Sequence, residues 1–129
     1  MLKPVLACVT LLIISAQVSA QPQVDLDLSQ QVDADCQGLT LSTANEVEPG
    51  QCIRYELRIS NRGTSAAQSI DLNLPVPTNT VIASSLASAS GEALSTQLQQ
   101  SNGKSALQAR VERLDAQQSL VLHYRVKVL

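Results

Sequence analysis

The chain has no phenylalanine and no tryptophan, and Tyr55 and Tyr124 are its only aromatic residues. Any core must therefore be filled by Leu, Ile and Val, and the buried Trp of an antibody domain is excluded. Histidine occurs once, at His123, and methionine once, at Met1. A cupredoxin copper centre, which draws on two His, a Cys and usually a Met, is excluded with them. Cationic clusters are missing as well: 9 Lys and Arg stand against 11 Asp and Glu, for a net charge of −2. Nucleic acid is not an expected partner, because phosphate binding rests on grouped Lys and Arg. There is no Cys-x-x-Cys redox pair and no Gly-x-Ser-x-Gly nucleophile elbow. One long apolar run exists, and it lies at the amino terminus.

That run is Val5 to Ile14, preceded by Lys3 and followed by Val18-Ser19-Ala20. A positive start, a short apolar stretch and small residues before a cut form the pattern of a secretory signal peptide, expected over 1–20. A transmembrane helix needs about 20 apolar residues, and Ser15 and Gln17 interrupt this one first. A lipoprotein acylated at Cys8 is disfavoured, since the apolar run follows that cysteine where it should precede it. Residues 21–129 then form a single domain, large enough for one core. No second apolar run follows, so no membrane insertion is expected after cleavage. Export with so few cysteines points to a bacterium's periplasm, cell surface or surrounding medium.

Two cysteines remain past the leader, Cys36 and Cys52. In an oxidising compartment they have one possible partner each, and a structural disulfide is expected. Closing the loop between them is worth about 3 kcal/mol in the chain-entropy account. A metal site would need more soft ligands than one His and two Cys supply.

The remaining pattern is of period two. Ile53, Tyr55, Leu57 and Ile59 alternate with Arg54, Glu56, Arg58 and Ser60, between a Pro49-Gly50 turn and an Asn61-Arg62-Gly63 turn. Val24, Leu26 and Leu28 alternate with Asp25 and Asp27. Ile70, Leu72 and Leu74 alternate with Asp71 and Asn73, and Pro75 and Pro77 are expected to end that strand. Short strands are expected at Leu39–Leu41, Thr80–Ala83 and Leu94–Leu98, with Ser84 to Gly91 a loop. Asn102-Gly103 marks a hairpin into Leu107–Glu112. Leu120 to Val128 alternates throughout and forms a long last strand. Seven or eight such strands with turns between them define an all-β fold, an antiparallel immunoglobulin-like β-sandwich.

In order, Pro49-Gly50, the strand carrying Tyr55, Asn61-Arg62-Gly63, Ile70 to Leu74 and Leu74-Pro75 resemble the DUF11 repeat family of bacterial surface and envelope β-sandwich modules. Asp33 to Gly38 ahead of Pro49 to Cys52 looks like a cysteine-bearing subgroup, and Leu114 to Leu120 is similar to the turn before the family's final strand. The resemblance spans Val24 to Leu129. The family usually occurs as tandem repeats, whereas this chain carries one copy. What the resemblance implies is fold and location; it brings no chemistry.

Candidate chemistry is sparse. His123 falls on the polar face of the last strand, a position typical of a solvated histidine. Asp25/Asp27 and Asp33/Asp35 could in principle serve as acid–base pairs, but on faces and turns such pairs solubilise. Asp33, Asp35 and Gly38 only faintly match a calcium loop, whose ligand spacing Cys36 and Gln37 interrupt. An internal isopeptide bond needs a core-facing Lys, and Lys127 and Lys104 sit on a polar face and in a hairpin turn. No catalytic, cofactor or metal residue is expected, and the chain is not expected to be an enzyme. The expectation is a binding or structural module that meets another envelope or surface protein through a sheet face or an edge strand. Arg54, Glu56 and Arg58 are one candidate contact face. The alternative is a pilin-like subunit completed by strand exchange; against it, no strand of the sandwich is missing from the pattern.

Overall fold

The computed structural model describes residues 20–43 and 45–129, so the expected signal peptide, apart from Ala20, lies outside the described residues. Eight strands run in chain order: β1 (Val24–Asp33), β2 (Leu41–Ser42), β3 (Cys52–Asn61), β4 (Ala67–Val76), β5 (Thr80–Ser88), β6 (Thr96–Ser101), β7 (Lys104–Leu114) and β8 (Ser119–Val128). They form a five-stranded sheet, β2-β1-β3-β8-β5, and a three-stranded sheet, β4-β7-β6. Every pairing is antiparallel. The protein is the expected all-β sandwich of two packed sheets.

Alternation explains the packing. In β3, Tyr55, Leu57, Ile59 and Asn61 are buried, while Arg58 faces water and Arg54 and Glu56 are half-buried. In β8, Leu122, Tyr124 and Val126 are buried with no exposed surface. These strands pair in register, so Leu57 stands opposite Leu122 and Tyr55 opposite Tyr124. The two tyrosine rings stack, 4.8 Å apart and 14° from parallel. They are the core's only aromatic pair among the described residues. Leu72, Leu74 and Val76 from β4 and Leu107 and Val111 from β7 close the core from the other sheet. Each fully buried aliphatic side chain contributes about 1.5–3 kcal/mol.

Several boundaries differ from the sequence reading. The strand expected to stop at Pro75 runs through it to Val76. β4 is the edge of its sheet, where a missing N–H breaks no ladder. The Pro75 carbonyl instead accepts a 2.7 Å hydrogen bond from Tyr124 Oη, which ties the two sheets together. Ser84 to Ser88, expected as loop, continues β5 with two register shifts, and Leu86 within it is fully buried. Small side chains fit an irregular sheet margin as well as they fit a loop. β1 runs five residues past the Leu28 at which its alternation stops being apolar, held by its complete pairing with β3. β2 is Leu41–Ser42 rather than Leu39–Leu41, β6 begins at Thr96 rather than Leu94, and Lys104 opens β7 rather than sitting in the turn.

Asn61 also departs from its expected role as a turn residue. It ends β3 with a buried side chain. Its Oδ1 accepts from the Gln23 and Gly63 N–H groups, and its Nδ2 donates to the Ser65 and Leu114 carbonyls. A Cβ at Gly63 would overlap the Gln21 carbonyl oxygen, so only glycine lets the amino-terminal segment lie against this corner.

Candidate functional site

The surface that β1, β3 and β8 turn away from the core is built in rows. Gln31, Arg54 and Arg125 form one row across the three strands; Ser29, Glu56 and His123 form the next; Asp27, Arg58 and Val121 the third. One end of this face is roofed by the chain between β1 and β3. Cys36 and Cys52 are joined as expected, their Cα atoms 5.1 Å apart, within the range a disulfide requires. At the end of the roof Gly50, next to Pro49, takes φ +91°, the left-handed conformation that a Pro-Gly turn demands of its second residue.

Beneath the roof lies an ion pair. Asp33 is fully buried, and its carboxylate accepts from the Gly38 N–H at 2.9 and 3.1 Å. Arg125 reaches over β3 to place Nε 3.0 Å from Asp33 Oδ2, and its Nη1 donates to the Cys36 carbonyl at 2.7 Å. The Nε–carboxylate contact is electrostatic, since its N–H is not aligned for a hydrogen bond. Burial, and then the neighbouring Asp35 carboxyl, push Asp33 above the usual carboxylate range, against the pull of Gly38 and Arg125. Asp35 is held below it, first by the Gln37 N–H that it accepts at 3.0 Å and then by Asp33. The faint calcium pattern thus resolves into side chains that hold a turn. No group of three or more His, Cys, Asp or Glu among the described residues is placed to hold a metal ion.

His123 is half-buried and stands opposite Glu56. Burial lowers its pKa, and the Arg54 and Arg125 charges lower it further against the opposing pull of Glu56. It is therefore less solvated than the sequence suggested, because β8 is central in its sheet. Asp25 pairs with Arg62 at 3.0 Å, so it does not stand with Asp27 as an isolated carboxylate pair. Lys127 is exposed at the end of β8, and Lys104 is exposed at the first position of β7. Arg54, Glu56 and Arg58 do share one outward face, as expected.

The sheet margins complete the surface. β5 carries two irregularities, and β4 contains Pro75 and, at Ser69, a positive φ of 52°. β1 meets β2 only at Val32 and Asp33, which leaves Val24 to Gln31 paired on one side. Leu26 and Leu28 lie on the core-side face, in register with the buried Ile59 and Leu57, yet are 53% and 39% exposed. The five-stranded layer overhangs the three-stranded one at this margin. No helix among the described residues is long and apolar enough to cross a membrane. Comparison with protein-family models, curated proteins and solved structures finds no match to the chain.

Proposed function

We propose that this chain is an exported, non-enzymatic β-sandwich module of the bacterial envelope or surface, of the kind the DUF11 resemblance implies, and that it works by binding another envelope or surface protein. The observation that carries the reading is the division of labour among its polar groups. Asp33, Asp35, Arg125, Asn61 and Tyr124 are engaged in holding the fold. The long margin of β1 meanwhile keeps unpaired backbone groups at the surface. Unpaired strand edges are a common means of recognition. The joined Cys36 and Cys52 agree with an oxidising compartment.

The test is site-directed photo-cross-linking in the intact envelope. A probe at Arg58, on the open face, or at Leu28, on the open margin, is expected to give discrete adducts with another envelope protein, and a probe at buried Leu122 none. Absence of adducts from both exposed positions would overturn the reading. The second reading is a pilin-like subunit that exchanges strands with its neighbours, and the open β1 margin favours it. It requires ordered polymers of the purified chain rather than adducts with a second protein.

A further inference from the structure

The sandwich has four strand margins besides the two-residue β2, and they are not equivalent. The β4 margin is interrupted by Pro75 and by the left-handed Ser69, and β5 is broken by two register shifts. Irregularities of this kind discourage pairing with another chain. β6 is regular but only 6 residues long. The stretch of β1 from Val24 to Gln31 is long, unbroken in register and free of proline.

Its backbone polarity is fixed by its neighbours. The Gln23 carbonyl accepts from the Arg62 N–H, so Gln23 and then Asp25, Asp27 and Ser29 turn their amide groups toward β3. By alternation Val24, Leu26, Leu28 and Gln30 turn theirs outward, matching the side on which Val32 meets β2. The same residues carry the exposed leucines on the overhanging, core-side face. An incoming strand would thus gain ladder hydrogen bonds and an apolar ledge together.

Charge selects the occupant. In an antiparallel pairing of two copies of β1, the register that sets Leu26 against Leu28 also sets Asp27 against Asp27. Shifting it to set Leu26 against Leu26 sets Asp25 against Asp27 twice. Setting Leu28 against Leu28 avoids the clash but leaves each Leu26 opposite Gln30 and brings Val24 against Val32, whose outer side β2 already takes. Like charges directly opposite destabilise a strand pair. Asp25 already holds Arg62, whereas Asp27 has no ion pair among the described residues. Resting on the binding-module reading above, we propose that the Val24–Gln31 margin takes up an extended segment of a partner protein, one that sets apolar residues beside Leu26 and Leu28 and basic residues beside Asp27.

The probe is a synthetic peptide that alternates valine and lysine, with a valine–glutamate peptide as control, titrated into the ¹⁵N-labelled chain. Shifts are expected at the amides of Val24 to Gln31 and at their β3 partners. Leu28→Pro, which removes one outward N–H without touching the β3 ladder, should weaken binding about tenfold. Should that variant unfold, Leu28→Lys blocks the ledge while keeping the backbone. Asp27→Lys should weaken the lysine peptide about threefold and strengthen the glutamate one. Absence of binding at millimolar peptide overturns the proposal. So does a chain that dimerises through this margin by light scattering, with loss of the dimer in Leu26→Lys. Shifts confined to β6 or to the Arg54–Arg58 face would overturn the β1 assignment and leave the binding-module reading intact, which the envelope cross-linking decides separately.

Discussion

Arg125 of β8 and Asp33 of β1 meet across the whole width of β3, with the guanidinium Nε 3.0 Å from the carboxylate, under the loop that Cys36 anchors. Asp33 has no exposed surface and the Arg125 side chain only 20%. Removing one partner of a fully buried pair costs about 3–5 kcal/mol, because the other charge is left unmatched. With Arg125 partly hydrated, Arg125→Met is expected to cost about 2–3 kcal/mol in urea denaturation. Asp33→Asn/Arg125→Met should cost less than the sum of the two single changes, by about 1–2 kcal/mol. Additive singles would show that the pair contributes nothing of its own.

The disulfide and this ion pair share the loop, so they should be coupled. Cys36→Ser/Cys52→Ser frees a loop of sequence separation 16, and the loss is expected to be about 3 kcal/mol. The Cys36 carbonyl also accepts from Arg125. Arg125→Met should therefore cost less in the cysteine-free chain than in the oxidised one. An equal cost in both would mean that the roof keeps its place without the bond.

Tyr124 and Tyr55 stack on one another but differ in their hydroxyls. Tyr124 Oη donates to the Pro75 carbonyl of the opposite sheet. Burial first, and then Tyr55, raise its ionisation well above the usual tyrosine range. Tyr124→Phe should cost about 1 kcal/mol, the net worth of one hydrogen bond, plus the penalty of an unmet carbonyl. Tyr55→Phe keeps the stacked rings and removes no bond of this kind, so it should lie within about 0.5 kcal/mol of the parent. A larger effect at Tyr55 than at Tyr124 would contradict this assignment.

What could be read from the sequence was what repeats. Ile53 to Ile59 and Leu120 to Val128 show their period of two within a single stretch, so the strands, the sandwich and the one possible cysteine pairing were legible. What could not be read depends on partners far along the chain. Nothing near Asp33 announces Arg125, and nothing near Asn61 announces the Leu114 carbonyl it meets. Pro75 looks like a strand end until β4 is known to be an edge. Leu26 and Leu28 look like core residues, because alternation specifies a face but not whether the opposite sheet is wide enough to cover it. The candidate margin was for that reason invisible, though an edge strand of some kind was expected.

Asn61 and Gly63 act together at one corner. Asn61→Ala leaves four backbone partners to find others, two N–H groups and two carbonyls. At about 1–3 kcal/mol for each buried group left unsatisfied, with water reaching some of them, a loss of about 3 kcal/mol is expected. Asn61→Asp should be no milder, since a carboxylate cannot donate to the Ser65 and Leu114 carbonyls. Gly63→Ala puts a methyl group against the Gln21 carbonyl. It should release the Gln21 to Gln23 segment and speed hydrogen exchange at the Arg62 and Thr64 amides, which donate to Gln23 and Gln21. Unchanged exchange there would mean that the segment is held by something else.

His123 gives the fold a pH dependence whose sign follows from its surroundings. Burial, Arg54 and Arg125 disfavour the imidazolium, and Glu56 offsets them only in part. The folded chain thus resists a proton that the unfolded chain accepts near its ordinary pKa of about 6.5. Between that value and the lower folded one the unfolded state binds more protons, so stability rises with pH there. Lowering pH from about 7 through this window should destabilise the protein, and the slope should vanish once the folded imidazole is itself protonated. His123→Gln should remove this component, leaving the carboxylate transitions at lower pH. An NMR titration of the His123 ring is expected to show a midpoint below 6.5 that moves upward in Arg54→Gln, as one of the two repelling charges is removed. A midpoint at or above the ordinary value would show that Glu56, directly opposite on β3, outweighs burial and both arginines.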